Sequence, residues 1–146
     1  MQTIDKDAPF SPEDSHEIAV AEKRTGVFGD RRPDGSPCCD ATYEGGVKSG
    51  AGRMFYPSGK VYAVESWREG RLSGETRLYY ESGVVQAELS YEADVLDGLS
   101  RQYFPSGKLA SEALWKAGRR DGPTTIYNEA GAVTQTILYR EGVAQR

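Results

Sequence analysis

Histidine is nearly missing from this chain of 146 residues: His16 is the only one. A zinc site needs about four soft or imidazole donors. One histidine and the two adjacent cysteines, Cys38 and Cys39, do not supply them. Neighbouring cysteines also cannot staple distant segments, so no structural disulfide is expected and a reducing compartment fits. Serine and threonine are plentiful, yet a hydroxyl nucleophile needs a base beside it, and His16 lies outside the region where they recur. Positive excess is lacking too. The net charge is −4, against the basic faces that nucleic acids and anionic membranes select. No apolar run reaches membrane-span length, and the N-terminus has no basic patch followed by an apolar core. These absences exclude an enzyme with catalytic residues, a nucleic-acid binder and a membrane span. They imply a cytoplasmic protein without cofactor or metal.

What the chain has is a period. Gly35, Gly59, Gly83, Gly107 and Gly131 stand 24 residues apart, and Tyr43, Trp67, Tyr91, Trp115 and Tyr139 keep the same step. With aromatics at 10% of the chain, five hits in that column have a chance likelihood on the order of 10⁻⁵. A further column, Phe55, Tyr79, Tyr103 and Tyr127, misses only the first copy. The expected organisation is residues 1–26 outside the repeat, then five units at 27–50, 51–74, 75–98, 99–122 and 123–146. Each unit of such an array buries its apolar face mainly on its neighbours.

Residues 1–26 hold Asp5, Asp7, Glu13, Asp14, Glu17 and Glu22 against Lys6, Lys23 and Arg24, most of the acid excess. The first ten suit a flexible acidic tail. Ser11-Pro12-Glu13-Asp14 then reads as a helix start, with a serine cap, proline at the first helical position and acids at the positive dipole end. A short helix to about Lys23 would turn Ile18 and Val20 inward. A strand is the alternative, because HEIAVAE also alternates.

Inside a unit the pattern is a hairpin. A strand from Arg53 to Tyr56 meets Pro57-Ser58-Gly59, and Lys60 to Trp67 returns. Proline presets φ, and glycine takes the left-handed position of a three-residue turn with a bulge. A second turn follows at Arg68-Glu69-Gly70-Arg71, its glycines recurring at Gly46, Gly118 and Gly142 with Asp94 in the gap. Pairing Tyr56 with Lys60 puts Phe55 opposite Val61 and Arg53 opposite Ala63. One constant face then collects Phe55, Val61, Ala63 and Trp67 and their equivalents. A variable face carries Met54, Tyr56, Lys60, Tyr62 and, in later units, Gln86, Glu88, Lys108 and Glu112. The expected fold is all-β: a single-layer antiparallel meander of five hairpin repeats, about ten strands, twisted and curled, with a short non-repeat N-terminal segment.

FYPSGKVYAVESWREGRLSG, YYESGVVQAELSYEADVLDG and YFPSGKLASEALWKAGRRDG resemble the MORN-repeat variant, and more closely its bacterial YwqK-like antitoxin or immunity family. The first unit lacks the strand aromatics and the last loses the closing glycine. The resemblance implies no catalytic residues. It implies a protein-binding module of antitoxin or immunity type that neutralises a toxin or effector by direct binding, or alternatively a scaffold or membrane-peripheral adaptor.

Individual residues have plain readings. Cys39 sits in the column of Ala63, Ala87 and Ser111, where a small packed residue is wanted. Arg53, Arg77 and Arg101 lie on the aromatic side and are expected to stack on rings, helped by carboxylates such as Glu65. Glu88 and Glu112 share a column with lysines nearby, which suits solvated cross-strand charge. The expected partner-binding set is Tyr56, Lys60, Tyr62, Tyr80, Gln86, Glu88, Phe104 and Glu112, aromatic anchors in a polar rim. Val133 to Tyr139, with no following repeat, offers a free edge for a partner strand or a second copy, giving a homodimer.

Overall fold

The computed structural model describes residues 14–146. The fold is an all-β antiparallel meander with one short helix. The helix α1 is His16–Ala21. The thirteen strands are β1 Gly26–Arg31, β2 Pro37–Glu44, β3 Val47–Phe55, β4 Val61–Arg68, β5 Arg71–Leu72, β6 Gly74–Tyr79, β7 Val85–Glu92, β8 Val95–Leu96, β9 Gly98–Tyr103, β10 Leu109–Lys116, β11 Arg119–Tyr127, β12 Val133–Arg140 and β13 Val143–Ala144. The count exceeds ten because two-residue strands follow the second turns. The chain divides into two compact units, one ending at Arg71 and the other Leu72–Arg146.

In the first unit, β1 to β4 pair in sequence order. The helix starts later than expected. Ser15 caps it, its Oγ accepting from the Ile18 N–H at 3.3 Å, while the Ser11-Pro12-Glu13 start falls outside the described residues. A cap oxygen satisfies one of the orphan N–H groups of the first turn. The inward residue is Ala19, fully buried, whereas Val20 is 58% exposed and Ile18 half-buried. Six helical residues give about a turn and a half, so few positions face the strands: Ala19, and His16, which reaches Tyr43 and Cys39. Ala19 joins Phe28, Ala41 and Tyr43 in the core of this unit, with the Phe28 and Tyr43 rings edge to face at 6.0 Å.

In the second unit the order is β6, β7, β9, β10, β11, β12 and β13, with β8 on β7. At the C-terminal end the edge is shorter than expected. β13 pairs Tyr139 and Arg140 of β12, and the Gln145 N–H donates to the Leu138 carbonyl at 2.7 Å.

Both turns of each hairpin follow from backbone sterics. The glycines Gly35, Gly59, Gly83, Gly107 and Gly131 have φ of 84–92°, a region closed to side chains that carry a Cβ. Each donates its N–H to the carbonyl three residues back, as from Gly59 to Tyr56 at 2.8 Å. At the second turn two consecutive residues take positive φ, as in Glu69 (50°) and Gly70 (80°) or Ala117 (49°) and Gly118 (84°). That is the two-residue hairpin turn whose twist matches the strands it joins.

One residue of register separates the observed hairpin from the expected one. Phe55 does pair with Val61, but Met54 pairs with Ala63 and Arg53 with Val64. A bulge takes up Tyr62, and equivalent shifts recur between Leu78 and Tyr79 and between Leu109 and Ser111. Because side chains alternate with period two, the slip splits the expected constant face in two. In the first unit Phe55 shares a face with Arg53, and Trp67 shares the opposite one with Ala63. In the second, Tyr79 and Tyr103 share a face with Arg77 and Arg101, and Tyr91 and Trp115 share the opposite one with Ala87 and Ala113.

Beyond Phe28 and Tyr43, the buried positions are mostly small residues. Ala41, Ala63, Ala87 and Ala113 are buried, as are Thr76, Ser100 and Thr124, while the later members of the aromatic columns are only half-buried. Gly52 shows why this strand column stays small. A Cβ there would meet Trp67 Nε1 at 3.0 Å and the Asp40 carbonyl at 3.2 Å. Its equivalent Ser100 accepts a hydrogen bond from Trp115 Nε1 at 2.9 Å. Thr76 and Thr124 hold this column fifteen residues ahead of Tyr91 and Tyr139, and their hydroxyls have no partner among the described residues.

Candidate functional site

In the Leu72–Arg146 unit the register brings three columns together on one face. Arg77 stands opposite Glu88 in the β6–β7 pair, and Arg101 stands opposite Glu112 in the β9–β10 pair. Glu88 Oε2 lies 3.4 Å from Arg77 Nη2, and Glu88 Oε1 accepts from the Tyr103 hydroxyl. The same arrangement appears 24 residues on: Glu112 Oε2 accepts from Arg101 Nε at 3.0 Å, and Oε1 from the Tyr127 hydroxyl at 3.1 Å. Each glutamate thus clasps an arginine on one side and a tyrosine of the next hairpin on the other. Arg77 has a second carboxylate partner in Glu75.

The ladder is solvent-facing. Arg101 and Glu112 side chains are 42% and 28% exposed, those of Arg77 and Glu88 49% and 21%. Its electrostatics agree with its geometry. The Glu112 hydrogen bond holds Arg101 above the usual guanidinium value. Glu75, ahead of Glu88, does the same for Arg77. Burial, with the Glu88 hydrogen bond second, raises the Tyr103 phenol, and the Glu112 hydrogen bond raises that of Tyr127. Exposed ion pairs of this kind, screened by solvent, contribute little to the stability of a fold. What they do supply is a rigid, pre-paired pattern of charge.

The expected binding residues fall in both units. In the first, the Tyr56 and Tyr62 rings meet edge to face at 5.2 Å, and Lys60 lies exposed just past the turn. In the second, Tyr80 donates its hydroxyl to the Tyr103 carbonyl at 2.7 Å. Gln86 is the bulge residue beside Glu88, and Phe104 precedes the Gly107 turn, half-buried. Glu88 and Glu112 do not oppose the strand tyrosines, as the variable face required; they are bonded to them. Nor is Glu65 the arginines' carboxylate. Asp40 takes that role for Arg53, 2.6 Å from its Nη2 and only 5% exposed, and Arg53 also lies over the Phe55 ring at 5.1 Å. The columns of Arg, Glu and Tyr were all visible at the 24-residue step. Only the bulge decides that they touch.

The first unit contains a second cluster. His16 Nε2 lies 3.4 Å from Cys39 Sγ and 4.0 Å from Asp30 Oδ2, and His16 Nδ1 is 2.6 Å from the Tyr43 hydroxyl. Cys38 Sγ is 3.1 Å from Cys39 Sγ, both thiols free. Burial lowers the His16 imidazole pKa and pushes the Cys39 thiol up to about 12, with the Cys38 contact adding to the latter. In the second unit a shallow cleft of about 380 Å³ is lined by Lys116, Ala117, Arg119, Asp121 and Glu141, charges of both signs. No helix among the described residues is long and apolar enough to cross a membrane.

No curated protein matches the chain. Among solved structures, one titled "Crystal structure of GtfA/B complex bound to UDP and GlcNAc" is similar at a TM-score of 0.36 and 10% identity. The match covers 62% of this chain and 22% of that one. At that score the likeness carries no functional weight. Residues 72–93 and 96–117, the segments that bear Arg77, Glu88, Arg101 and Glu112, match the family model of the MORN repeat variant.

Proposed function

We propose that the chain is a protein-binding module of antitoxin or immunity type, which neutralises a toxin or effector by occluding it. The partner docks on the ladder face of the Leu72–Arg146 unit, with Tyr103 and Tyr127 as aromatic anchors and Arg101, Glu88 and Glu112 in the polar rim. The observation that carries this reading is the repeated Arg–Glu–Tyr clasp. Its side chains are exposed yet already held by one another, so docking orders few of them and costs little conformational entropy. Alternating charge on such a surface selects a partner by complementarity more than by area. The antitoxin part of the reading draws its support from the resemblance of the repeats to the YwqK-like family.

The test begins with a pull-down from the native cell, read by mass spectrometry, followed by affinity measurement on the purified partner. A double variant, Arg101→Glu with Glu112→Arg, keeps the intramolecular pair while reversing the charge pattern presented to the partner. At least a tenfold loss of affinity is expected, about 1.4 kcal/mol. Parental affinity in a folded double variant would remove the ladder from the interface. A partner without toxic activity would replace the immunity role by that of a scaffold.

A further inference from the structure

Chemistry-bearing groups outside the ladder converge at one place. His16 opens α1, Asp30 is near the end of β1, and Cys39 is in β2, and their donor atoms all lie within 4.8 Å of one another. Asp30 is paired with Cys39 across the strands. The register then shifts, with Arg31 opposite Pro37, so Cys38 is the unpaired residue of a bulge. In a regular strand neighbouring side chains point to opposite faces. The bulge breaks that alternation, and the two thiols lie 3.1 Å apart.

We propose that His16 Nε2, Asp30, Cys39 Sγ and Cys38 Sγ bind one zinc-class divalent cation. Tetrahedral donors at bond lengths of about 2.0–2.3 Å stand roughly 3.3–3.8 Å apart. The Cys39–His16 and His16–Asp30 separations, 3.4 and 4.0 Å, lie about that range; Cys38, 3.1 Å from Cys39, stands outside the group of three whose donors all lie within 4.8 Å and would turn toward the ion to complete the set. Two thiolates with an imidazole and a carboxylate favour zinc over magnesium or calcium, which take oxygen ligands. The support behind the histidine fits as well. The Tyr43 hydroxyl lies 2.6 Å from Nδ1; with the ion bound, Nδ1–H would donate to it and the Nε2 lone pair would serve the metal. Tyr43 is itself 3% exposed and held in the core, which locks the ring's orientation. The Asp30 side chain is 45% exposed and leaves the ion a path in. The expectation of no metal rested on counting soft donors along the chain, and His16 lies 23 residues from Cys39.

The experiment is titration of the reduced, metal-free full chain with Co(II) and then Zn(II), with the metal content measured after dialysis. One ion per chain is expected, with the intense visible bands of tetrahedral thiolate-bound Co(II), bleached by Zn(II). His16→Asn and Cys39→Ser should each weaken binding by about 100-fold or more, and Tyr43→Phe, which keeps the ring in the core, by about 10–100-fold. Cys38→Ser, at a bulge, should fold normally and lose one thiolate's share of the charge-transfer intensity. Less than one ion per chain, bands lacking thiolate character, or parental affinity in Tyr43→Phe and Cys38→Ser together would overturn the proposal.

Discussion

Replacing Trp115 by phenylalanine removes one hydrogen-bond donor while keeping most of the ring. In the parent, Nε1–H donates to Ser100 Oγ at 2.9 Å, and Ser100 is 9% exposed. Its hydroxyl retains only a long contact of 3.5 Å to the Ala113 carbonyl. A net hydrogen bond is worth about 0.5–1.5 kcal/mol, and a buried group left unpaired costs about 1–3. Half-burial of the ring and the Arg120 guanidinium 5.5 Å above it add little, because phenylalanine keeps part of both. Trp115→Phe should therefore destabilise the Leu72–Arg146 unit by about 1.5–2.5 kcal/mol. Ser100→Ala alone should cost about 1 kcal/mol, and the two together less than their sum, with a coupling near 1 kcal/mol. Urea denaturation followed by circular dichroism measures all four corners of the cycle. Trp67, in the first unit, remains as a fluorescent reporter of that unit alone. A coupling energy below about 0.3 kcal/mol would refute the account of the small-residue column as the seat for the indole.

Other perturbations separate strain from crowding. Gly83→Val should cost about 1–3 kcal/mol purely through its φ of 92°, since a Cβ there meets nothing within 4 Å; Gly52→Ala should cost about as much by crowding Trp67 and the Asp40 carbonyl. Thermal melts of both variants check this, and a Gly52→Ala protein as stable as the parent would show that the indole moves aside. Ala93→Gly should stabilise by about 0.5–1 kcal/mol, because alanine at φ 47° is strained. Burial raises the Glu65 carboxyl, outweighing the opposing pull of Lys48. The folded state then binds the proton more tightly, so this residue's contribution is fully present below the ordinary glutamate value of about 4.3 and lost as pH rises through the raised one. Glu65→Gln should flatten that part of the pH–stability curve and gain stability at neutral pH, as denaturation across the range would record.

Glycine spacing carried the turns. A residue that must adopt φ near 90° is recognisable in isolation, because the steric rule acts on that residue alone. The hairpin boundaries, the all-β class and the columns of Arg, Glu and Tyr follow from it at the 24-residue step. The segment before β1 read as helix or strand, and its helix is capped by Ser15 rather than Ser11, since several serine and acid positions satisfy the same local rule. Register is different in kind. The bulge at Tyr62, Gln86 and Ala110 shifts pairing by one residue, and a one-residue slip turns every later side chain to the other face at little change in local preference. Hence the sequence alone placed Glu88 and Glu112 away from the strand tyrosines, while the folded sheet bonds them to Tyr103 and Tyr127. The gathering of His16, Asp30, Cys38 and Cys39 depends on where α1 docks and on another such bulge. Only tertiary packing decides contacts of that range, because no short stretch of chain contains both partners.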